Sequence, residues 1–197
     1  MRRLLGTTTS PYTRKVRVLL RAIGQPYELV DIRTDEGAAT LHEAAPLGKI
    51  PVLLDDDLQA VVPDSSLIGG WLWAKEAAAL RSAGWDLDPQ AFEDHALRTV
   101  VEGALDAAIN HYYLRRDGFA ETGYIAKQRQ RVDRVLSWLD QRMVFRHPIG
   151  AAALSLGCAL DWIVFRNVVE LERWPALTAF RAAWKASGVG DGTEPRE

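Results

Sequence analysis

The strand-like stretches of this sequence all lie before residue 63, and only helical patterns follow them. Short apolar stretches occupy residues 4–6, 27–32, 52–55 and 59–62. An amphipathic helix pattern separates the first two, and a weaker, alanine-rich one separates the second from the third. From Ser65 onward, apolar residues recur at helical spacing. Because crossovers between parallel strands are right-handed, this order leaves few ways to assemble a sheet.

The element order predicts an α+β protein with two parts. A thioredoxin-like βαβαββα domain is expected over residues 1–80. An all-helical domain is expected over residues 90–197, after a polar break at residues 84–89 that we interpret as a linker. A chain of 197 residues is long enough to hold two small domains with a sizeable core. Residues 188–197 are polar and rich in glycine, so we expect them to be frayed.

Composition excludes several classes of function. A net charge of −2 provides no bulk attraction to nucleic acid or to an anionic membrane. The single cysteine, Cys158, excludes an intrachain disulfide, a Cys-x-x-Cys redox pair and an all-cysteine metal site. No apolar run approaches the roughly 20 residues that span a bilayer, and no signal-peptide pattern is present. We therefore expect a cytoplasmic protein with no metal, membrane or nucleic-acid partner.

Residues 47–54 carry a proline at the start of an apolar strand. Proline has no backbone N–H, so it suits the first position of a strand and not its interior. A cis peptide bond before proline costs only about 0.5–1 kcal/mol. With a cis bond between Ile50 and Pro51, the N–H and C=O of Ile50 would turn outward and could pair with an extended peptide. Composition alone leaves the trans bond as the commoner alternative.

Two segments have the pattern of helix N-termini. Ser10-Pro11 places serine at an N-cap and proline at the first helical position, where each residue is favoured. Asp64-Ser65 follows a turn and precedes the apolar positions of another helix. Helix N-termini present unpaired N–H groups and partial positive charge, so both segments are candidate anion sites. A plain helix cap is the alternative interpretation of each.

Three segments together resemble the cytosolic glutathione S-transferases. They read SPYTRKVR, PLGKIPVL and DSSLI, at residues 10–17, 46–53 and 64–68, in the family's order and at about its spacing. A thioredoxin-like half followed by an all-helical half is also that family's layout. The sequence looks closest to bacterial transferase-like proteins of the serine type. The resemblance implies glutathione as a cosubstrate, a small electrophile as second substrate and a homodimer.

The resemblance implies that Ser10 activates the thiol of glutathione. An unperturbed thiol has a pKa of about 8.5, and the thiolate is the nucleophile. A hydroxyl that donates to the sulfur at a helix N-terminus would lower that pKa, and two units correspond to roughly 2.7 kcal/mol. Two alternatives stay open. Ser10 only caps its helix by accepting from the Thr13 amide, or Thr8 or Thr9 supplies the hydroxyl.

The resemblance assigns the rest of the glutathione site to two segments. Ile50, before Pro51, would pair its backbone with the cysteinyl unit. Lys49 would reach the glycyl carboxylate, or remain a solvated loop charge. Ser65 would hold the γ-glutamyl carboxylate at the helix N-terminus while Asp64 pairs with the amino group. Family members more often carry glutamate at the position of Asp64, so the shorter side chain is expected to weaken or redirect that contact.

A second-substrate pocket is expected between the two halves. Tyr12 would line it from the loop before the first helix. His111, Tyr112 and Tyr113 would line it from the first long helix of the helical half. A tyrosine pair on a helix is more often plain packing, which is the alternative interpretation.

In the helical half the resemblance is one of pattern only. Residues 154–157, LSLG, resemble the family's capping segment before its buried helix, so we predict Ser155 as a cap and a helix over residues 159–169. The family usually has aspartate three residues after the capping hydroxyl. Cys158 stands there and is a poor acceptor, which weakens the local folding signal.

Three functions are compatible with these patterns. The first is conjugation of the glutathione thiolate to a small, mostly apolar electrophile. The second is a glutathione-dependent isomerase, dehalogenase or lyase that uses the same site. The third is a non-catalytic interaction protein that keeps the transferase fold, which the departures at Asp64 and Cys158 favour.

Overall fold

The computed structural model describes residues 1–197. The strands are β1 (Arg2–Gly6), β2 (Tyr27–Asp31), β3 (Val52–Asp55) and β4 (Ala60–Pro63). The helices are α1 (Pro11–Ala22), α2 (Asp35–Ala44), α3 (Ser65–Ser82), α4 (Phe92–Arg116), α5 (Gly123–Asp140), α6 (Ala151–Phe165) and α7 (Pro175–Ala186). A short 3₁₀ turn, Leu171–Arg173, precedes α7. The predicted α+β class is confirmed, with a thioredoxin-like βαβαββα half followed by helices only.

The four strands form one mixed sheet in the order β2-β1-β3-β4. Strand β1 is parallel to β2 and antiparallel to β3, and β3 is antiparallel to β4. In the register, Leu5 lies opposite Val52, and Val52 lies opposite Pro63. The end of β1, the start of β3 and the end of β4 therefore meet at one edge of the sheet. We call this edge the site edge.

Helices cover both faces of the sheet. On one face, Leu41 and Ala45 pack on Leu5, Val52 and Leu54, which places α2 over β1 and β3. Because successive side chains of a strand point to opposite faces, the neighbouring strand residues face the other way. Helices α1 and α3, which contact each other, cover that second face. Its fully buried apolar residues include Leu4, Leu53, Val16, Leu20, Ile68 and Leu72.

The chain forms two compact units. The first contains Met1–Gln90 together with His147–Ile149 and Val189–Glu197. The second contains Ala91–Arg146 and Gly150–Gly188. In the second unit, α4 packs against α5 and α6, and α7 packs against α5 and α6.

Two segments of the first unit are more ordered than their composition indicates. In the polar break, Trp85 is buried and pairs with Ile149 as an isolated parallel bridge. The Ile149 amide donates to the Gly84 carbonyl at 2.7 Å. The expectation of a frayed C-terminal segment is wrong. Thr193 is fully buried within that segment, and two arginines of α1 donate hydrogen bonds to it.

The prediction for the start of the buried helix α6 is also wrong. The helix begins at Ala151, and Ser155 lies inside it rather than at its cap. The Ser155 hydroxyl donates to Glu102 Oε1 at 3.0 Å. Cys158 is fully buried in the same helix, so it takes no part in a cap.

The capping carboxylate of α6 comes from another helix. Gly150 occupies the N-cap and has no side chain to offer. Asp94, on α4, accepts from the Ala151 amide at 2.6 Å and from the Ala152 amide at 3.3 Å. A Cβ atom on Gly150 would lie only 2.6 Å from Asp94 Oδ1, so glycine leaves room for the carboxylate.

None of the helices is both long enough and apolar enough to cross a membrane.

Candidate functional site

The site edge collects the segments that the sequence singles out. The loop of residues 7–10 follows β1, Ile50 and Pro51 precede β3, and Asp64 and Ser65 follow β4. A hydrogen bond ties two of these segments, since the Asp64 amide donates to the Pro51 carbonyl at 3.1 Å. The sheet register therefore brings together segments that are far apart in the chain.

Ser10 caps α1 and keeps one hydrogen-bonding function unused. Its backbone is extended, and Oγ accepts from the Thr13 amide at 3.1 Å. A hydroxyl has one proton and two lone pairs, so accepting this bond leaves the proton available. No other residue of the chain bonds to the Ser10 hydroxyl. The half-buried side chain can cap the helix and donate a hydrogen bond at the same time.

The other hydroxyls of the loop are engaged with neighbours. Thr8 Oγ1 donates to the Arg196 carbonyl at 2.8 Å. Thr7 Oγ1 and Thr9 Oγ1 share a hydrogen bond of 3.1 Å. The bond to Arg196 uses the proton of Thr8, whereas the bond shared by Thr7 and Thr9 uses the proton of only one of them. This geometry therefore favours Ser10 over Thr8.

The first turns of α1 carry positive charge. Its first turn has no acidic residue, and three cationic side chains, Arg14, Lys15 and Arg17, are between 2% and 5% exposed. Lys15 Nζ lies 5.0 Å from the centroid of the Tyr12 ring. With no acidic residue in this turn, the positive end of the helix dipole is uncompensated there, so the start of α1 favours an anion.

Ile50 offers unpaired backbone groups at the site edge. The peptide bond between Ile50 and Pro51 is cis. Neither the N–H nor the C=O of Ile50 forms a hydrogen bond with another residue of the chain. Its side chain packs against the cluster that includes Leu41 and Val52, which fixes the residue in place. The two free groups have the donor and acceptor that an extended peptide needs.

Asp64 combines a helix cap with an unusual backbone. It is not glycine, yet its φ is +68° with ψ 133°, a conformation that costs on the order of 1–3 kcal/mol and is concentrated at functional sites. Oδ1 accepts from the Ser66 amide at 2.7 Å and the Leu67 amide at 3.1 Å. The second carboxylate oxygen has no partner, and the hydroxyl of Ser65, which is 4% exposed, has no hydrogen bond within the chain. The start of α3 therefore retains both an acceptor and donors.

The end of β2 brings a salt bridge to the same edge. Asp31 lies opposite Gly6 in the parallel register of β1 and β2. Arg33 Nη2 lies 2.6 Å from Asp31 Oδ2, and both side chains are partly exposed. Hydrogen bonding to Arg33 holds the pKa of Asp31 below its ordinary value. Sequence reasoning missed this pair, whose spacing of two residues matches no helical pattern.

Comparison with known proteins identifies this arrangement. The model of the glutathione S-transferase N-terminal domain matches residues 4–79, a range that contains Ser10, Ile50 and Asp64. A glutathione S-transferase from Methylobacillus flagellatus, solved with GSH bound, superposes with a TM-score of 0.83 and 27% identity over 100% of both chains. Residues 4–79 of the chain therefore match a glutathione S-transferase N-terminal domain.

Two further proteins are similar to this chain at about the same level. A glutathione transferase family member from Pseudomonas fluorescens Pf-5, with bound glutathione, has a TM-score of 0.82 and 26% identity over 100% of both chains. The uncharacterized GST-like protein YibF of Escherichia coli strain K12 is 25% identical over 176 residues, which cover 84% of each chain.

The remaining predicted residues fall in two groups. In the first unit, Lys49 is exposed in the loop after Gly48 and has no hydrogen bond or ion pair within the chain. In the second unit, His111 is 8% exposed and its Nε2 lies 3.3 Å from Glu121 Oε1. The geometry of the first unit leaves Lys49 free to meet an anion.

The tyrosines of the helical unit make aromatic contacts. Tyr112 meets the ring of Trp162 edge-on at 5.6 Å and that of Tyr113 at 5.2 Å. The guanidinium of Arg116 lies 4.5 Å from the Tyr113 ring centroid, and Tyr113 is 37% exposed. Tyr112 thus packs within the helical unit, as the alternative interpretation has it. Lining of a second-substrate pocket by Tyr12, His111, Tyr112 and Tyr113 stays a prediction.

The structure reveals one set of residues that sequence reasoning passed over. Arg14, Arg17 and Arg21 lie on one face of α1, at the spacing i, i+3 and i+7. A row of basic residues on a helix is usually solvated, yet the first two are buried. The spacing was visible in the sequence, but the segment they bind was not. No group of three or more His, Cys, Asp or Glu side chains is arranged to hold a metal ion.

Proposed function

We propose that the chain is a glutathione transferase that joins the thiolate of glutathione to a small, mostly apolar electrophile. The observation that carries the proposal is the unused proton of Ser10. The Ser10 hydroxyl lies at a capped helix start, where the helix dipole is positive. It is at the same sheet edge as the unpaired backbone of Ile50. The solved relatives that contain glutathione support the same assignment.

In the proposed mode of binding, glutathione lies extended along the site edge. The N–H and C=O of Ile50 pair with the cysteinyl unit, whose sulfur then faces Ser10. Ser65 and the start of α3 hold the γ-glutamyl carboxylate, and the free oxygen of Asp64 accepts from the amino group. Lys49 meets the glycyl carboxylate. Each end of the tripeptide thus finds a group of opposite charge.

The chemical step needs a thiolate at neutral pH. The Ser10 hydroxyl donates to the sulfur anion while Oγ keeps accepting from the Thr13 amide, so the cap and the catalytic hydrogen bond coexist. Lowering the thiol pKa by two units requires roughly 2.7 kcal/mol of preference for the anion. A charged hydrogen bond contributes about 1.5–3 kcal/mol. The thiolate then forms a C–S bond with the electrophile as the bond to the leaving group breaks.

Replacing Ser10 by alanine tests the mechanism. With glutathione and 1-chloro-2,4-dinitrobenzene at pH 6.5, we expect S10A to reduce kcat/KM by about a hundredfold, which is roughly 2.7 kcal/mol. The matched control is T34A, which removes the hydroxyl cap of α2 and should change kcat/KM less than about threefold. Equal loss in both variants, or none in S10A, would remove Ser10 from the chemistry.

The wild-type protein separates the alternatives in the same assay. Glutathione binding without conjugation of aryl halides would favour an isomerase, dehalogenase or lyase on the same site. Failure to bind glutathione in calorimetry would favour a non-catalytic interaction protein. We also propose the homodimer that the family resemblance implies. Light scattering should give twice the mass of the chain, and a monomer mass would contradict it.

A further inference from the structure

The C-terminal segment, residues 189–197, belongs to the first unit and contains a tight turn. The Thr193 hydroxyl donates to the Gly190 carbonyl at 2.6 Å, and the Thr193 amide donates to the same oxygen at 3.2 Å. Gly192 has φ +69°, which glycine adopts without strain. Thr193 is fully buried, so this turn is a packed element of the unit.

Two arginines of α1 hold the turn. Arg14 Nε donates to Thr193 Oγ1 at 3.2 Å. Arg17 donates to the Thr193 carbonyl at 3.1 Å and to the Gly192 carbonyl at 3.0 Å. Hydrogen bonds from a charged donor are stronger than neutral ones, and the two that reach Thr193 are buried. Both arginines converge on Thr193, which therefore anchors the segment.

The same segment continues to the loop that carries Ser10. The Arg196 carbonyl accepts from Thr8 Oγ1 at 2.8 Å. The loop is closed on its other side by the Ser10 amide, which donates to the Thr7 carbonyl at 3.4 Å. The segment is thus bound at both ends, to α1 through Thr193 and to the loop through Arg196.

A second observation places the end of the segment at the site edge. The pKa of Arg33 is raised chiefly by its hydrogen bond to Asp31, and the negative charge of Glu197 adds to the rise. The residues next to Arg196 therefore lie near the end of β2 as well as near the loop after β1.

We propose that Thr193 is a positioning residue for Ser10. By anchoring residues 189–197 along α1, it sets the Arg196 carbonyl that holds Thr8, and Thr8 holds the loop in the orientation that aims the Ser10 hydroxyl at the glutathione sulfur. The proposal rests on the proposed function of Ser10. A purely stabilising role would end at α1, and the hydrogen bond between Thr8 and Arg196 is what extends it to the loop.

The test uses three variants of the full chain. T193V keeps the side-chain shape and removes the hydroxyl, T193S restores the hydroxyl, and T99V removes an exposed hydroxyl on α4 as a control. Hydrogen exchange of residues 7–13 reports on the loop without glutathione. Ultraviolet absorption of the thiolate, titrated against pH, reports on bound glutathione.

We expect T193V to speed amide exchange in residues 7–13 on the order of tenfold. We also expect it to raise the pKa of bound glutathione by about 0.5–1 unit, the size of one lost hydrogen bond. T193S should restore both values, and T99V should change neither. T8V cuts the other end of the link without touching the anchor, so it should raise the thiol pKa even if T193V folds poorly.

The two measurements separate the two proposals. Unchanged exchange in T193V would overturn the anchoring of the loop, whatever happens to glutathione. Altered exchange with an unchanged thiol pKa would overturn the positioning role and leave Ser10 as the activating group. A wild-type protein that binds glutathione without any lowering of its thiol pKa would overturn the proposed function, and the role of Thr193 with it.

Discussion

The hydroxyl caps of α1 and α2 have the same geometry and different capacities. Ser10 accepts from the Thr13 amide at 3.1 Å, and Thr34 accepts from the Gly37 amide at 3.1 Å. The Thr34 hydroxyl also donates to the Asp31 carbonyl at 2.9 Å, whereas the Ser10 proton has no acceptor in the chain. A capped helix start can therefore serve a ligand only where its capping group keeps an unused donor or acceptor.

The starts of α3 and α6 extend the comparison to carboxylate caps. Both oxygens of Asp94 accept hydrogen bonds at the start of α6, from the Ala152 amide at 3.4 Å and from the Ala151 amide at 2.6 Å. Asp64 uses only Oδ1 at the start of α3, and it does so with a strained backbone. We interpret α2 and α6 as closed helix starts that serve stability, and α1 and α3 as open ones that serve binding.

The largest effect on stability is expected at the closed start of α6. D94A should lower the free energy of unfolding by about 2 kcal/mol, because the carboxylate caps two amides at the helix N-terminus. Urea unfolding measures the loss. The double variant D94A/G150S should recover about 1 kcal/mol, since a serine at the extended N-cap can bond the amides itself.

The single variant G150S provides the control for that prediction. Its Cβ would crowd the Asp94 carboxylate, so G150S alone should destabilise the protein. The double variant should therefore lose less unfolding free energy than the sum of the losses in the two single variants. Simple additivity would show that Asp94 does not cap α6.

The next effect is expected at the open start of α3. S65A should raise KM for glutathione about tenfold, roughly 1.4 kcal/mol, with little change in kcat, because in the proposed binding mode Ser65 would contact the γ-glutamyl carboxylate and not the reacting sulfur. Steady-state kinetics with varied glutathione measures the split. The neighbouring S66A serves as control, and equal effects of both variants would argue against a specific contact.

A smaller effect on glutathione binding is expected at Asp64, where one variant should weaken binding without lowering stability. D64G removes the carboxylate but suits the positive φ, and glycine at an N-cap costs only a few tenths of a kcal/mol. We expect KM for glutathione to rise about fivefold, because the variant loses one exposed charge pair worth about 1 kcal/mol. The melting temperature should stay constant or rise. A fall in melting temperature of several degrees would show that the strained residue is stabilising.

The smallest effect is the loss of stability on acidification that comes from the salt bridge between Asp31 and Arg33, beside the closed start of α2. Because the pKa of Asp31 is lowered in the folded chain, its salt bridge with Arg33 stabilises the protein above the unfolded pKa of about 3.9 and is lost as pH falls through the folded value. Solvent screens this partly exposed pair, so the contribution is about a few tenths of a kcal/mol.

Urea unfolding of D31N and wild type from pH 7 to pH 3 measures that contribution. The difference in unfolding free energy should be constant from pH 7 to about pH 5 and should shrink below about pH 4. A difference that grows on acidification would contradict the lowered pKa.

The sequence predicts most of the fold because its signals are local. Helix spacing and the Ser10-Pro11 pair locate α1, and Gly24, which has φ +66°, follows its end as expected. The start of α6 could not be predicted, since its capping group lies 57 residues away, in Asp94. The packing of Thr193 is hidden for the same reason, because its partner Arg14 is 179 residues distant.

The candidate site could be predicted as a set of segments and not as chemistry. The family resemblance of the segments around Ser10, Ile50 and Asp64 implied which parts of the chain meet. Which hydroxyl still has a free proton depends on hydrogen bonds that only coordinates reveal. Ser10 and Thr34 are both favourable N-cap residues in the sequence, and only the Asp31 carbonyl beside Thr34 distinguishes them.

The most direct test of this account is the pKa of the glutathione thiol when it is bound to the protein. Thiolate absorption, titrated from pH 5 to pH 10, should give a pKa about two units below the ordinary value of about 8.5 in the wild type and in T34A. In S10A it should return to within about half a unit of that value. An equally low pKa in S10A, or an unperturbed pKa in the wild type, would show that the free proton of Ser10 does not stabilise a bound thiolate at the start of α1.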